Sequence, residues 1–208
     1  MGDESTLIFF IMAQKNVLTT SEPLEITEYY LLIDKLREDG IYLWELFCLI
    51  ACTMALRIGD VLRLKWEDIL NVEKGYYREG KTGKTRHITI HPTVQQKYLE
   101  IYELLGSPEK EQLIFLNEQT GTAFTRQTVN NHLRYYKSKY KLSIKCFSSH
   151  SFRKTFGRKV WEDNGQSEYG LLLINRAFGH SSVDTTIRYL GLKQDELSLV
   201  YDSIVFKQ

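Results

Sequence analysis

The residues best suited to chemistry lie between Ser149 and Tyr189 of this 208-residue chain. This stretch opens with His150 and Arg153, and it closes with His180 and, nine residues later, Tyr189. Residues three apart share one face of a helix, so His150 and Arg153 can reach the same point in space. An imidazole base, a guanidinium, a second imidazole and a phenol together predict a phosphate site that carries its own nucleophile.

The attack of a phenol on a phosphodiester requires four kinds of functional group in the site. At least two cations should hold the non-bridging oxygens, and arginine suits this because its planar fork binds phosphate and stays charged. The phenol, with an ordinary pKa of about 10, needs a base or a positive potential. The leaving oxygen needs a proton donor, which a desolvated lysine can supply. A neutral donor to the phosphate completes the set.

Two earlier segments supply the cations that the 149–189 stretch lacks. Arg57 follows a predicted buried helix, and in this window alone a surface arginine at a helix end is an equal alternative. Residues 75–91 place β-branched and aromatic residues around a glycine-containing turn, which predicts a β-hairpin with Lys81 and Lys84 at its tip. The segment lacks the spacing of a Walker loop. Its two ammonium groups either lie in solvent at the end of the hairpin or bind a phosphate or leaving oxygen. Folding must then bring Arg57 and the hairpin tip onto the His150 helix.

The hydrophobic pattern predicts a mainly α-helical fold with a small antiparallel β-hairpin or three-stranded sheet near residues 70–91. Residues 1–23 show no sustained period and are expected to be a leader or linker, which leaves 24–208 as one domain. Thr125 is an expected helix cap, and residues 112–116 are expected to be extended or a linker. Helices are predicted over residues 27–39, 42–56, 93–105, 125–139, from after 151 to 162 or 163, 169–178, 182–190 and 195–206.

Positive charge is concentrated in one part of the sequence. From Gln119 through Trp161 there are ten Lys or Arg and no Asp or Glu, although the whole chain carries a net charge of only +1. Tyrosines interleave with these cations, which favours a polyanion-binding surface with steep salt dependence over a merely solvated basic face. The candidate DNA contacts are Lys84, Arg86, Arg126, Arg134, Lys137 and Lys154.

Cysteine use and hydropathy indicate a soluble cytoplasmic protein. The cysteines are three in number, and Cys48 and Cys52 sit in an apolar helical run where buried thiols are expected. They show neither a disulfide framework nor zinc spacing. The longest apolar run, 42–56, is too short to span a bilayer and contains Glu45. We therefore expect no metal site and no membrane contact.

Four ordered motifs give the chain a resemblance to a known family. They are the segment from Ala55 to Leu64 around Arg57, the segment from Gly80 to Lys84, the segment from His150 to Arg153, and the segment from Phe178 to Tyr189 with Gly179-His180 and Thr185-Thr186. Each motif alone is weak, but the ordered set with its nine-residue step from histidine to tyrosine resembles the tyrosine recombinase (phage integrase) family over roughly residues 18–192. The resemblance implies the α+β catalytic-domain fold of that family.

The resemblance also implies an activity, that of a site-specific DNA recombinase or integrase of a mobile element. Such an enzyme cuts and rejoins double-stranded DNA through a covalent 3′-phosphotyrosyl intermediate, and it needs neither a metal nor another cofactor. The implied catalytic residues are Arg57, Lys81, His150, Arg153, His180 and Tyr189. A non-catalytic DNA-binding regulator of the same fold and a type IB topoisomerase-like relaxase are the alternatives.

Individual roles follow from the same resemblance. Arg57 and Arg153 would hold the scissile phosphate, and Tyr189 would become linked to the 3′ phosphate. His150 would assist removal of the phenolic proton. His180 would hydrogen-bond the phosphate.

The resemblance also implies Lys81, rather than its rival Lys84, as the acid for the 5′ oxygen, because the first lysine of the hairpin turn usually has that role in the family.

The ends of the chain carry two further expectations. Family members usually have an N-terminal DNA-clamping domain that this chain lacks, as in an excised catalytic domain or in the short fimbrial-type invertases. The apolar stripe at 195–206 is expected to dock on a neighbouring subunit of a DNA-bound homotetramer, or in cis. Association with the nucleoid would follow from DNA binding.

Overall fold

The computed structural model describes residues 21–70, 74–78, 80, 83 and 85–192. Within these residues the fold is mainly α-helical with two small antiparallel strand pairs, as predicted. The elements are α1 Ile26–Glu38, α2 Tyr42–Thr53, α3 Ile58–Val61, a 3-10 turn Trp66–Asp68, β1 Lys74–Arg78, β2 Thr85–Thr89, α4 Pro92–Leu104, β3 Leu116–Asn117, β4 Thr122–Ala123, α5 Arg126–Lys139, α6 Ser149–Asp163, α7 Glu168–Phe178 and α8 Val183–Leu190.

Local caps explain where the functional helices begin and end. The expected cap Thr125 accepts a hydrogen bond from the Thr128 amide at 3.0 Å. Helix α6 begins at Ser149, earlier than predicted, because the Ser148 hydroxyl accepts from the His150 amide and the Ser148 amide donates to the Ser151 hydroxyl. This reciprocal pair stabilises the first turn of the helix.

The ends of α2 and α7 set the backbone around the site. Helix α2 stops at Thr53 rather than continuing to Leu56, because Ala55 takes a left-handed conformation with φ of 48°. Gly179 ends α7 with φ of 62°, a conformation that glycine adopts without steric penalty. Both helices therefore finish with the chain turning back toward α6.

The β-structure departs from the sequence prediction in one respect. Strands β1 and β2 pair in register from Lys74 with Thr89 to Arg78 with Thr85, which is the expected hairpin. Among the described residues no third strand joins this hairpin. A separate pair is formed by β3 and β4, where Leu116 lies opposite Ala123. The second strand of that pair is too short to give a periodic signal in the sequence.

Helix α6 lies between two hydrophobic clusters. The larger cluster surrounds α2 and includes Phe47 and Phe152, both fully buried. The smaller cluster joins α6, α7 and α8 through residues such as Phe178 and Leu190. Because opposite faces of α6 bury apolar side chains, the helix is fixed in orientation, and with it His150 and Arg153.

Further predictions concern the cysteines, membrane-spanning helices and segments that lie outside the described residues. Cys48 and Cys52 are buried free thiols, as expected. None of the described helices is long and apolar enough to cross a membrane. The hairpin lysines Lys81 and Lys84, most of the expected leader at 1–23 and the stripe at 195–206 lie outside the described residues.

Candidate active site

Arg153 is the buried centre of the site, with 3% of its surface exposed. Its guanidinium donates to the carbonyl oxygens of Ala55 at 2.5 Å and Phe178 at 2.8 Å. It also lies 4.1 Å from the centroid of the Phe178 ring, a cation–π distance. One side chain therefore joins α6 to the end of α2 and to the end of α7.

Arg57 approaches the same point from another element. It follows the left-handed turn at Ala55, is half-buried, and donates to the Phe178 carbonyl at 3.5 Å. Two guanidinium groups thus converge on one carbonyl oxygen. Like charges held this close repel each other, and the arrangement favours an anion that both can bind.

A cleft of about 400 Å³ opens beside Arg57, whereas Arg153, His180 and Tyr189 do not line it. It brings together the segment that follows α2, the end of the hairpin and the start of α6. The lining residues are Arg57, Ile58, Gly59, Asp60, Arg63, Gly80, Arg126 and His150. Three of the lining side chains are arginines and a fourth is an imidazole, so the cleft has the charge that a phosphodiester requires.

Asp60 is a site residue that the sequence interpretation missed. Its carboxylate, 2% exposed, accepts from the Gly80 amide at 3.0 Å and from Arg63 at 2.5 Å. The position of Asp60 three residues after Arg57 was the available signal, because that spacing places both at one short helix. Asp60 therefore ties the hairpin to the arginine-bearing segment.

Gly80 lies directly against the end of the Arg63 side chain. A Cβ atom at Gly80 would lie 1.8 Å from the Arg63 guanidinium, well inside van der Waals contact. A larger residue would push Arg63 or the hairpin away from Asp60. The chain next to the predicted lysines is thus held by the hydrogen bond from the Gly80 amide to Asp60.

His150 lies half-buried on the first turn of α6 and lines the cleft. Burial lowers the pKa of its imidazole, and the positive charges of Arg126, Arg153 and Lys154 lower the pKa further. The neutral form is therefore favoured at pH 7, and a neutral imidazole can accept a proton.

His180 lies against Tyr189, between α7 and α8. Its Nδ1 hydrogen-bonds Thr186 Oγ1 at 3.0 Å, which fixes the ring. The ring centroids of His180 and Tyr189 are 5.4 Å apart, and the Phe178 ring packs edge-on against Tyr189 at 5.6 Å. The left-handed turn at Gly179 makes this fold-back possible.

The Tyr189 hydroxyl is buried and has no hydrogen-bond partner at normal distance among the described residues. Burial raises the pKa of the phenol, and the guanidinium groups of Arg153 and Arg57 oppose that rise. The phenol is accordingly protonated at neutral pH. The two arginines that converge on the Phe178 carbonyl also favour the phenolate.

The predicted DNA contacts fall into different environments. Arg126 is exposed at the rim of the cleft, Arg134 is exposed on α5, and Lys137 donates to the Lys145 carbonyl at 2.8 Å. Arg86 is half-buried on β2. Lys154 is buried, with 8% exposed, so it does not share the surface with the others.

Some cations of the predicted basic surface are neutralised by ion pairs with nearby carboxylates. Lys139 pairs with Asp39 at 2.7 Å, and Lys159 pairs with Asp163. Asp39 and Asp163 lie outside the acid-free sequence window but next to its cations in space. The basic surface is therefore smaller than the sequence run of ten cations suggested, because folding supplied some of the missing carboxylates.

Residues 23–196 match the phage integrase family, and the chain belongs to that family. It is 29% identical over 147 residues to the probable integrase/recombinase YoeC of Bacillus subtilis (strain 168), which covers 71% of this chain and 76% of that protein. It is 30% identical over 156 residues to tyrosine recombinase XerC of Myxococcus xanthus, covering 71% of this chain and 50% of that protein. The chain thus spans about half the length of that XerC.

Solved structures show the same fold. The XerA recombinase superposes with a TM-score of 0.65 at 22% identity, covering 89% of this chain and 66% of that one. A lambda integrase dimer bound to a COC′ core site superposes with a TM-score of 0.61 at 20% identity. The match covers 86% of this chain and 49% of that one. These likenesses confirm the tyrosine-recombinase catalytic-domain fold.

Proposed function

We propose that the chain is a site-specific DNA recombinase or integrase that cuts and rejoins DNA through a covalent 3′-phosphotyrosyl intermediate. One observation carries the proposal: Arg57 and Arg153 converge on the Phe178 carbonyl beside the half-buried Tyr189 ring. Two cations next to a phenol supply the phosphate-binding and nucleophilic parts of such a reaction.

The reaction follows from these groups. A DNA phosphate binds at the end of the cleft where Arg57 lies, and Arg57 and Arg153 neutralise its non-bridging oxygens. The Tyr189 oxygen forms a bond to phosphorus as the bond from phosphorus to the 5′ oxygen breaks, and the phenolic proton passes to neutral His150. The energy of the broken bond is kept in the phosphotyrosine, so rejoining by a 5′ hydroxyl needs no ATP.

Lys81 is proposed as the acid that protonates the leaving 5′ oxygen. Gly80, the residue before it, lines the cleft and donates to Asp60. Chain connectivity therefore supports Lys81 over Lys84, which is three residues further along.

His180 is proposed to donate a hydrogen bond to the phosphate. Its Nδ1 is hydrogen-bonded to Thr186, which fixes the orientation of the ring. This orientation supports a fixed role in binding the developing charge, as a preorganised donor requires.

Double-stranded DNA is the proposed partner. Arg126, Arg134 and Lys137 would contact the backbone along α5, with Arg86 and Lys84 from the hairpin, and affinity should fall steeply with salt. A XerH recombinase bound to difH in a pre-cleavage complex shares the fold, with a TM-score of 0.61 at 22% identity. Assembly into a homotetramer through 195–206 is part of the same proposal.

A trapping experiment tests the proposed chemistry. The protein is incubated with a pool of nicked duplexes whose core is randomised, so that cleavage releases a short strand and traps the enzyme on the DNA. We expect an adduct that withstands denaturing detergent, enriched for one sequence, and no adduct from Tyr189→Phe.

Two other outcomes would overturn the proposal. Salt-dependent binding with no adduct from the folded protein would indicate a DNA-binding regulator. Relaxation of supercoiled DNA without sequence preference would indicate a topoisomerase-like relaxase. Lys159→Met, an exposed change at an ion pair on α6, is the matched control and should behave like the unaltered protein.

A further inference from the structure

Lys154 occupies an unusual position for a lysine. It follows Arg153 on α6 and is buried, with only 8% of its surface exposed. Its Nζ atom lies 5.3 Å from the centroid of the Tyr189 ring. Buried lysines are rare and need a compensating partner, and here the aromatic face of the candidate nucleophile is one such partner.

Three neighbours contact the half-buried Tyr189 ring. The Phe178 ring packs at 5.6 Å, the His180 ring at 5.4 Å and the Lys154 ammonium at 5.3 Å. Two of these contacts are made by rings and one by a cation. Lys154 is therefore the cation on the face of the ring, in addition to Arg153 and Arg57, which favour the charged phenol.

An ammonium and a phenol ring attract each other through the quadrupole of the ring, and the attraction grows when both are removed from water. It also grows when the phenol loses its proton, because the phenolate carries a full negative charge. A cation in this place therefore holds the ring and favours the ionised state that attacks phosphorus.

We propose that Lys154 is a positioning residue for Tyr189, which holds the phenol ring in its pocket and stabilises the phenolate during attack on the phosphate. The proposal rests on the proposed function for its catalytic consequence. Lys154 keeps its protons throughout, and the phenolic proton still passes to His150. The role replaces the surface contact with DNA that the sequence suggested for Lys154.

The surrounding charges support a protonated Lys154. Burial lowers the pKa of its ammonium, and the carboxylate of Glu22 opposes that change. Glu22 is held nearby because its carboxylate accepts from the Lys145 amide at 3.0 Å and its own amide donates to the Cys146 carbonyl. Lys154 and Tyr189 are surrounded by several charged or titratable groups. These are Glu22 before α1, Arg57 before α3, His150 and Arg153 on α6, and His180 before α8.

The first test measures the phenol directly, without any reaction. Fluorotyrosine is placed at position 189 alone, and its ionisation is followed by ¹⁹F NMR in otherwise unaltered protein, in Lys154→Met and in Lys154→Arg. We expect the apparent pKa at position 189 to rise by about one unit in Lys154→Met, a tenfold change in the equilibrium, and to stay near its original value in Lys154→Arg. An unchanged pKa in Lys154→Met would overturn the inference whether or not the protein cleaves DNA.

The second test uses adduct formation on the nicked DNA as a function of pH. Lys154→Met should react about tenfold more slowly near neutral pH and recover as pH rises, because more of the phenol then ionises without help. Lys154→Arg should restore most of the rate, and Lys159→Met, on the same helix, should match the unaltered protein. A loss that is equal at every pH and is not restored by arginine would mean that Lys154 is only structural.

The third test separates this role from DNA binding. A lysine that contacts a phosphate contributes about one to the slope of log affinity against log salt. We expect Lys154→Met to leave that slope unchanged, and a slope reduced by about one would overturn the inference. If Lys154→Met does not fold, Lys154→Gln takes its place in all three tests. If the unaltered protein forms no adduct, the proposed function fails, and the first and third tests still decide the role of Lys154.

Discussion

The carbonyl oxygen of Phe178 accepts hydrogen bonds from both Arg57 and Arg153, at 3.5 and 2.8 Å. Phe178 is the last residue of α7, where carbonyl groups have no partner within the helix and carry the negative end of the helix dipole. The helix end thus holds two arginines from separate elements. The phosphate-binding part of the proposed site is formed before DNA arrives, which is the condition for efficient electrostatic catalysis.

Arg153→Lys should destabilise the protein and stop adduct formation. A single ammonium cannot reproduce the forked contacts to the Ala55 and Phe178 carbonyls, so a buried acceptor loses its partner. We expect the free energy of unfolding to fall by about 2 kcal/mol, measured by denaturant titration.

Arg57→Lys is the matched change at the other arginine. The side chain is half-buried and lysine keeps its positive charge, so the free energy of unfolding should fall less than in Arg153→Lys. Adduct formation should nevertheless fall at least about a hundredfold, the scale set by loss of one charge-stabilising donor. Equal losses of stability in the two variants would contradict the different roles assigned to them.

Asp60→Ala should loosen the hairpin. Its carboxylate is the acceptor for the Gly80 amide, and removing it leaves that donor without its partner. We expect the free energy of unfolding to fall by about 2 kcal/mol and hydrogen exchange at the Gly80 amide to accelerate. Glu67→Ala, which breaks an exposed pair with Lys65, is the control and should change neither. Unaltered exchange at Gly80 in Asp60→Ala would show that Asp60 does not hold the hairpin.

Gly157→Ala should disturb the packing of α8 on α6. A Cβ atom at Gly157 would lie 2.7 Å from Leu190 Cδ2 and 3.1 Å from Phe178 Cζ. The gain of about 1 kcal/mol in helix propensity is outweighed by an overpacking cost of about 1–3 kcal/mol in a buried cluster. Stability and adduct formation should therefore both decrease, since Leu190 adjoins Tyr189.

A second substitution checks this explanation. Leu190→Ala removes the atom that the new methyl group meets, so Gly157→Ala should cost less in a Leu190→Ala background than alone. Denaturation of the four proteins gives the coupling energy. Additive effects would show that the two residues do not compete for the same space.

The lowered pKa of His150 predicts a pH dependence of stability. The imidazole is ordinarily half protonated at about pH 6.5 in the unfolded chain, whereas burial and nearby cations resist protonation in the folded state. As pH falls through that value the unfolded chain binds more protons, so the free energy of unfolding should decrease. His150→Gln should show a shallower decrease in denaturation experiments between pH 8 and pH 5.

The comparison must account for a second histidine. His132 also has a pKa lowered by burial, and it remains in the variant. The contribution of His150 is therefore the difference between the two stability profiles. Identical profiles would contradict the environment described for His150.

Most of the helical fold was accessible from the sequence because its limits are chemically marked. Glycines follow α7 and α8, Thr125 caps α5, and apolar residues recur with helical spacing in α1 and α4. The ordered motifs also led to the family. The proposed roles of the six catalytic residues stay predictions until the reaction is measured.

The missed features depend on contacts between distant residues. Asp60 gave no periodic signal, and its partner Gly80 lies twenty residues away. Lys154 belongs to a cationic run in the sequence, but the fold of α8 onto α6 buries it beside Tyr189. Lys139 likewise meets its carboxylate only through the packing of α1 near α5. Such pairings are decided by tertiary packing and leave little trace in local sequence.

The central claim is that Tyr189 is the nucleophile, and mapping the covalent bond tests it most directly. The adduct formed on nicked DNA is digested with protease and nuclease, and the modified peptide is sequenced by mass spectrometry. We predict a nucleotide linked through its 3′ phosphate to Tyr189. A phosphonucleotide on any other residue, or no adduct from a folded protein on the DNA that it binds, would contradict the mechanism.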